Sequence, residues 1–372
     1  MKHKIVIDSI SLLSSLTGIG RYTYEISKYI QESDDFEAEF YYGYFSKKII
    51  NPHSHAKSKK FKSIITSKPI IKKIARKFLT VSSGFFSKKY DLYFEPNFIP
   101  IESIKARKVV TAVHDFSFLH YKNFHPKERI EYFENTFFKN IKNSDIIITG
   151  SKFTKKEIIE HLHFKDDEVK VIYHGINHRL FKLYHDLDLS FQLPKKFIFS
   201  AGSIEPRKNL LGLLNAYNSL NEEIKEEYHL VLAGFKGWNN IEIIRLIDSN
   251  RSYIHYLGYI ADVELAKVYN LASLFVYPSF YEGFGLPPLE AMACGTPVIT
   301  SNVSSLPEVG GDAVVYCDPF NVEDIKEKIE MVLSDEKLQQ EMIQKGLKRA
   351  KEFTWKKSAQ EHLRVFQEVL NS

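Results

Sequence analysis

Only two cysteines, Cys294 and Cys317, occur in 372 residues. One pair cannot make the disulfide framework of a small secreted scaffold, so a reducing compartment is expected. Long apolar runs are missing too: no stretch reaches the roughly eighteen uncharged residues of a membrane-crossing helix. The first apolar run, IVIDSI at 5–10, is short and carries Asp8, which fits neither a signal peptide nor an anchor. The expected location is therefore cytoplasmic, with contact to a membrane surface allowed and a crossing not. No repeat of solenoid period is visible. A G-x-x-x-x-G-K-[ST] phosphate loop and a G-x-S-x-G elbow are both lacking.

Acid is missing altogether between Glu39 and Asp91, although that span holds thirteen Lys and Arg, from Lys47 to Lys89. The first 180 residues hold 31 basic and 20 acidic side chains; the remainder hold 20 and 26. Such asymmetry predicts a polyanionic partner for segment 47–89. In KPIIKKIARKFLT at 68–80, Ile70, Ile71, Ile74 and Phe78 fall near one helical face and the cations largely elsewhere. That is the pattern of an interfacial helix, so an anionic membrane surface is the expected partner, on the inner face of the plasma membrane. No RNP, KH or helix-turn-helix signature supports nucleic acid.

What is present reads as α/β. Apolar residues at 44% and charged residues at 26% are those of a soluble globular chain, long enough for two domains. Short Ile-, Val- and Phe-rich runs, such as Lys4–Ile7, Val109–His114, Phe197–Ala201 and Leu274–Tyr277, alternate with stretches of helical 3–4 spacing. Alternation of this kind implies parallel sheets with right-handed crossovers. Twelve such strand candidates exceed one sheet. The expected fold is two doubly wound Rossmann-like domains facing across a cleft, residues 1–180 and 181–354, with 355–372 a final helix packing back toward the first domain. Ligands of such sheets bind beyond the carboxyl ends of the strands, so the strand-to-helix loops are where chemistry is sought.

The richest loop is YPSFYEGFGLPPLEAMACGTPVITS at 277–301. Glu282 and Glu290 stand eight apart, separated by a Gly-Phe-Gly turn and a Pro-Pro that opens a helix. Gly283 and Gly285 allow close backbone approach, and a helix start suits phosphate oxygens. The two carboxylates then face sugar hydroxyls, a nucleotide-sugar reading. In SAGSIEPRKNL at 200–210, Gly202 is followed by Arg207 and Lys208, two cations for a diphosphate. TGIGRYTYEI at 17–26 places Gly18 and Gly20 in a turn that opens a helix after the first strand, without the third glycine of a dinucleotide fingerprint. VVTAVHDFSFLH ends a strand in His114 and Asp115, where an imidazole can bind substrate or carry a proton. His53/His55 and His161/His163 lack a carboxylate or thiol at metal spacing, and Asp186/Asp188 fall in the expected linker, so no metal site is expected.

With these residues in place the sequence resembles the retaining glycosyltransferases of family four, which have the GT-B fold. The Glu282-x7-Glu290 block carries the likeness, supported by GIGRY, VHD, ITGSKFTKKEI, VIYHGIN, YLGYIADVELAKVYNLAS and FTWKKSA. The resemblance implies that Glu290 binds the nucleotide ribose and Glu282 the donor sugar near its diphosphate. It implies that Lys208 neutralises the departing diphosphate and that His114 lies by the donor sugar. The family's arginine after the glycine is Ser203 here, and Arg207 is taken as its replacement. Gly18, Gly20, Gly202, Gly283, Phe284, Gly285, Leu286 and Tyr259, the last in the 256–260 loop taken as facing the base, complete the implied donor site; Asp115 is assigned to the acceptor. GIGRY with EPRKN looks most like bacterial polysaccharide mannosyltransferases using GDP-mannose, with a glycan or glycolipid acceptor and no metal or other cofactor. The alternatives are a nucleotide-sugar epimerase, a phosphorylase and a transferase using UDP-sugars.

Overall fold

The computed structural model describes residues 2–13, 18–51, 89–235, 237 and 241–372. Two open sheets form, each on its own apolar interior. The first runs β3-β2-β1-β4-β5-β6-β7 and the second β10-β9-β8-β11-β12-β13. Strands of the first are β1 (His3–Asp8), β2 (Phe36–Tyr41), β3 (Phe45–Ser46), β4 (Tyr90–Glu95), β5 (Ala106–Ala112), β6 (Ile146–Thr149) and β7 (Val169–Val171). Those of the second are β8 (Phe197–Ala201), β9 (His229–Ala233), β10 (Ile254–Tyr256), β11 (Leu274–Tyr277), β12 (Val298–Ser301) and β13 (Val315–Cys317). Among the described residues every pairing is parallel except β2 with β3, a two-residue return at the sheet edge that corrects the all-parallel expectation. Hairpin return needs only a tight turn, and Gly43 with φ 90° supplies it.

Both sheets are covered on both faces, so their central strands are apolar throughout, as Ile5, Val6 and Ile7 or Leu274, Phe275 and Val276 show. Each sheet reverses its strand order once, between β1 and β4 in the first and between β8 and β11 in the second. Those two reversal points open crevices at the carboxyl ends of the strands, where a ligand enters without displacing a crossover.

The two domains meet closely. A Cβ added to Gly283, in the loop after β11, would stand 1.8 Å from the carbonyl oxygen of His114, after β5. Only glycine lets the two backbones approach so far. Across the same seam, Glu308 accepts from the backbone N–H of Lys152 at 2.9 Å and from the Tyr173 hydroxyl at 2.7 Å.

The last helix, Trp355–Asn371, starts on Thr354, whose side chain accepts from the Lys357 N–H. Its Trp355, Ala359, Val365, Phe366, Val369 and Leu370 are buried against the first sheet, with Tyr22, Ile26 and Phe94. Arg107 donates to the Leu370 carbonyl at 2.6 Å, which fixes the helix end to β5. The chain therefore begins and ends in the same body.

Candidate active site

At the β8–β11 reversal, the turn Pro206–Lys208 is held by Asn209. That residue sits in the left-handed region (φ 53°), accepts from the Gly212 N–H at 3.2 Å and donates to the Pro319 carbonyl at 2.7 Å. This pins Lys208 over the strand ends. Its ammonium donates to Tyr277 Oη and to Glu282 Oε1, both at 2.6 Å. Lys208 also lines a crevice with Gly202, Ser203, Tyr256 and Tyr277. Burial lowers its pKa, with nearby Arg207 acting the same way and Glu282 opposing them.

Arg207, expected as a second free cation, is placed differently. Its guanidinium lies 3.0 Å from Glu205 and 2.9 Å from Glu282, and donates to the Tyr281 carbonyl at 2.6 Å. It does not line the crevice that Lys208 lines. The geometry gives it the work of orienting Glu282. Burial pulls the Glu282 carboxyl upward, but Arg207 and Lys208 outweigh that and hold it down at about 2. Glu282 is thus a buried anion between two cations.

Glu290 stands on the helix Leu286–Ala293, whose start Gly285 adopts φ 120°, a backbone conformation suited to glycine. Its carboxylate was expected to await hydroxyls. Instead Arg21, from the first domain, reaches across to Glu290 Oε1 at 3.0 Å and to Asp262 at 2.6 Å. Arg21, Glu290, Asp262, Leu286 and Tyr259 line a cavity of about 390 Å³ between the domains. Tyr259, 61% exposed, stacks on Phe235 at 4.5 Å and 18°. Phe284 differs from its neighbours: its ring packs at 4.8 Å on His174 and at 5.8 Å on Phe353, so it serves the interior and leaves a ligand only its backbone. Gly18 and Gly20 are no turn but the first residues of the helix Gly18–Glu32; Gly18 faces Leu286 across the cleft.

Residues 188–349 match the family described as glycosyl transferases group 1, and residues 16–180 match glycosyltransferase family 4. The O-antigen chain mannosyltransferase B of Escherichia coli is 32% identical over 371 residues, covering 95% of this chain and 96% of that one. The chain belongs to these glycosyltransferases. A serotype-specific mannosyltransferase of Escherichia coli, WbdA, is 35% identical over 62% of this chain, which spans 29% of that longer protein. Among solved structures, the sucrose-phosphate synthase of Thermosynechococcus elongatus superposes with a TM-score of 0.75 at 17% identity, covering 100% of both chains. WaaG, a glycosyltransferase of lipopolysaccharide biosynthesis, superposes with a TM-score of 0.65 at 15% identity, covering 98% of this chain and 99% of that one. These two bear on the fold alone, which is GT-B.

On the first-domain wall of this glycosyltransferase, His114 donates from Nε2 to the Pro96 carbonyl at 2.8 Å, since a carbonyl can only accept. Burial lowers its pKa, which keeps the ring neutral near pH 7 with Nδ1 as the acceptor. Asp115 accepts from the backbone N–H and hydroxyl of Ser117 at 2.9 and 2.7 Å. Burial alone would raise it; Arg207 across the cleft and Ser117 bring it below the usual carboxylate range.

Several residues escaped the sequence reading. Asp8 and Glu95 end β1 and β4, on either side of the first sheet's reversal. Burial raises Asp8 to about 7, and burial together with Asp8 pushes Glu95 well above the carboxylate range. Glu157 accepts from Tyr281 at 2.5 Å and lies 2.7 Å from His120 Nε2. One ligand atom each of His120, Glu157 and His161 falls within 4.8 Å of the others. His161 thus has the carboxylate neighbour that the His-x-His spacing did not reveal, one turn earlier on its own helix. Asp186 and Asp188 are exposed. His53, His55 and most of the basic 47–89 segment, including 68–80, lie outside the described residues. Among the described residues no helix is long and apolar enough to cross a membrane.

Proposed function

We propose that this glycosyltransferase moves mannose from GDP-mannose onto a lipid-linked or polysaccharide acceptor in bacterial surface-glycan assembly, with retention at the anomeric carbon. The placement of Lys208 carries the reading. It lies at the strand-order reversal of the second sheet, beside a glycine and a hydroxyl-rich wall, and is, among the described residues, the cation that lines that crevice. The diphosphate lies against Lys208 and the backbone near Gly202, and the ribose hydroxyls reach Glu290. Tyr259 flanks the base. Glu282, held by Arg207, accepts from donor-sugar hydroxyls, the neutral His114 lies by the donor sugar, and the Asp115 carboxylate lines the acceptor side.

As the glycosidic bond breaks, negative charge grows on the leaving diphosphate. A preorganised ammonium meets that charge without solvent reorganisation, the effect that usually dominates such steps. The chain's own cation serves in place of a metal, and the acceptor hydroxyl attacks from the face the diphosphate leaves. The identity of the full-length O-antigen relative supports mannose as the sugar and a growing glycan as the acceptor. Attachment to an anionic inner membrane surface is proposed from the charge of segment 47–89 alone.

The test is a thermal-shift panel of GDP-, UDP- and dTDP-sugars. A ligand at 100 times its Kd adds about 2.7 kcal/mol of stability. GDP-mannose is expected to raise Tm most, and a larger shift with a UDP-sugar overturns the donor assignment.

A further inference from the structure

A series of aromatic rings crosses the mouth of the cleft beside Glu282. Tyr121 and Phe124, between β5 and β6, stack at 5.3 Å and 21°. Phe124 reaches Phe280 of the second domain at 6.2 Å, and Phe280 stacks on Phe320 at 5.0 Å and 28°. Phe320, just after β13, is 66% exposed. Its position is built: its backbone N–H donates to Asp318 at 2.9 Å, and the preceding Pro319 carbonyl accepts from Asn209. Phe280 is fixed as firmly, its N–H donating to the Arg207 carbonyl at 3.0 Å and its carbonyl accepting from Tyr121 Oη at 3.4 Å. The loop that carries Glu282 therefore also carries Phe280, and the turn that aims Lys208 braces Phe280 and the residue before Phe320.

We propose that these rings are a subsite for the acceptor, binding sugar residues of a neutral glycan chain behind the one that receives the new residue. The inference rests on the mannosyl-transfer reading and adds where the residues behind the receiving sugar are held. Three observations favour this occupant. Phe280, within the series, stands two residues from Glu282, so the rings adjoin the transfer point. It is aromatic rather than aliphatic, and the electron-rich ring face suits the polarised C–H groups of a pyranose. Lys122 is already paired with Glu134 at 2.6 Å and Asp318 adds a carboxylate beside Phe320, so the wall suits an uncharged chain better than an anionic one. A polyprenyl tail would be better served by a deep aliphatic groove.

The experiment measures Kd for α-linked oligomannosides of one, two and four residues by saturation-transfer NMR on wild type, Phe320→Ala, Phe124→Ala and Phe320→Trp. Affinity is expected to rise with length in wild type. In Phe320→Ala the tetrasaccharide should bind about five- to tenfold more weakly, the scale of one lost aromatic contact, with the monosaccharide unchanged and Phe320→Trp restoring the gain. Affinity independent of length, no oligomannoside binding by wild type, or an unchanged Phe320→Ala overturns the proposal. So does a Phe320→Ala defect seen only in binding to polyprenyl-phosphate vesicles, which would assign the rings to lipid. GDP-mannose affinity measured on the same samples tests the donor reading separately.

Discussion

Lys208 Nζ lies 2.6 Å from Glu282 Oε1, while Arg207 lies 2.9 Å from Oε2 of the same carboxylate. One buried anion thus binds two neighbouring cations, and the three cannot be altered independently. Glu282→Ala leaves both cations buried with one partner fewer, which costs about 3–5 kcal/mol. Denaturant unfolding should show that loss. Glu282→Gln, which keeps the shape and some hydrogen bonds, is expected to lose less stability while still lowering turnover.

Arg21 spans the cleft to Glu290 and Asp262. If Glu290 receives ribose hydroxyls, Glu290→Ala should raise the donor KM by about ten- to a hundredfold, the value of hydrogen bonds to a charged group. Arg21 keeps Asp262 in that variant, so Tm should move little. A changed kcat with an unchanged donor KM would contradict the assignment.

Gly283→Ala places a methyl 1.8 Å from the His114 carbonyl oxygen. The obstacle is backbone rather than the end of a flexible side chain, so the seam between the domains must open. Small-angle scattering should show a larger radius of gyration, and turnover should fall by at least about a hundredfold, as misplacement of about 1 Å does. Circular dichroism should be unchanged.

Two buried groups should pull stability in opposite directions between about pH 4 and 7. His362 is fully buried, accepting from Tyr22 Oη through Nε2 and donating from Nδ1 to the Ser358 carbonyl. Burial lowers its pKa to about 4, so its neutral form stabilises the fold above the unfolded value of about 6.5, and that contribution is lost as pH falls toward 4. Glu157 behaves oppositely. Burial raises it to about 7, so its contribution is full below the unfolded value of 4.5 and is lost as pH rises through 7. Glu157→Gln should therefore make Tm rise more steeply with pH between about 4.5 and 7 than it does in wild type, and an unchanged profile contradicts the assignment.

Much of this was legible because it is local. The Glu282–Glu290 loop, the Arg207-Lys208 turn and the strand ends at His114 and Phe197–Ala201 are each written in consecutive residues. The two-domain α/β architecture follows from the alternation alone. Contacts between distant segments leave no such trace: Arg21 meets Glu290 across 269 positions. Asp8 and Glu95 become neighbours only because β1 pairs with β4. Phe284 looked like part of a ligand loop, and only the packing of His174 and Phe353 turns it inward. The helix Glu336–Ala350, capped by Asp335 accepting from the Leu338 N–H, went unread because it follows another helix without a strand between.

The central claim is that Lys208, at the reversal of the second sheet, meets the charge of the leaving diphosphate. The most direct test is single-turnover transfer of labelled mannose from GDP-mannose to an oligomannoside by wild type and Lys208→Ala. Glu282 keeps Arg207 in that variant, so the fold should persist. The account predicts labelled product from wild type and a rate about 10²–10³-fold slower from Lys208→Ala, measured well below the lowered Tm of the variant so that both proteins are folded. Equal rates from the two folded proteins would contradict it.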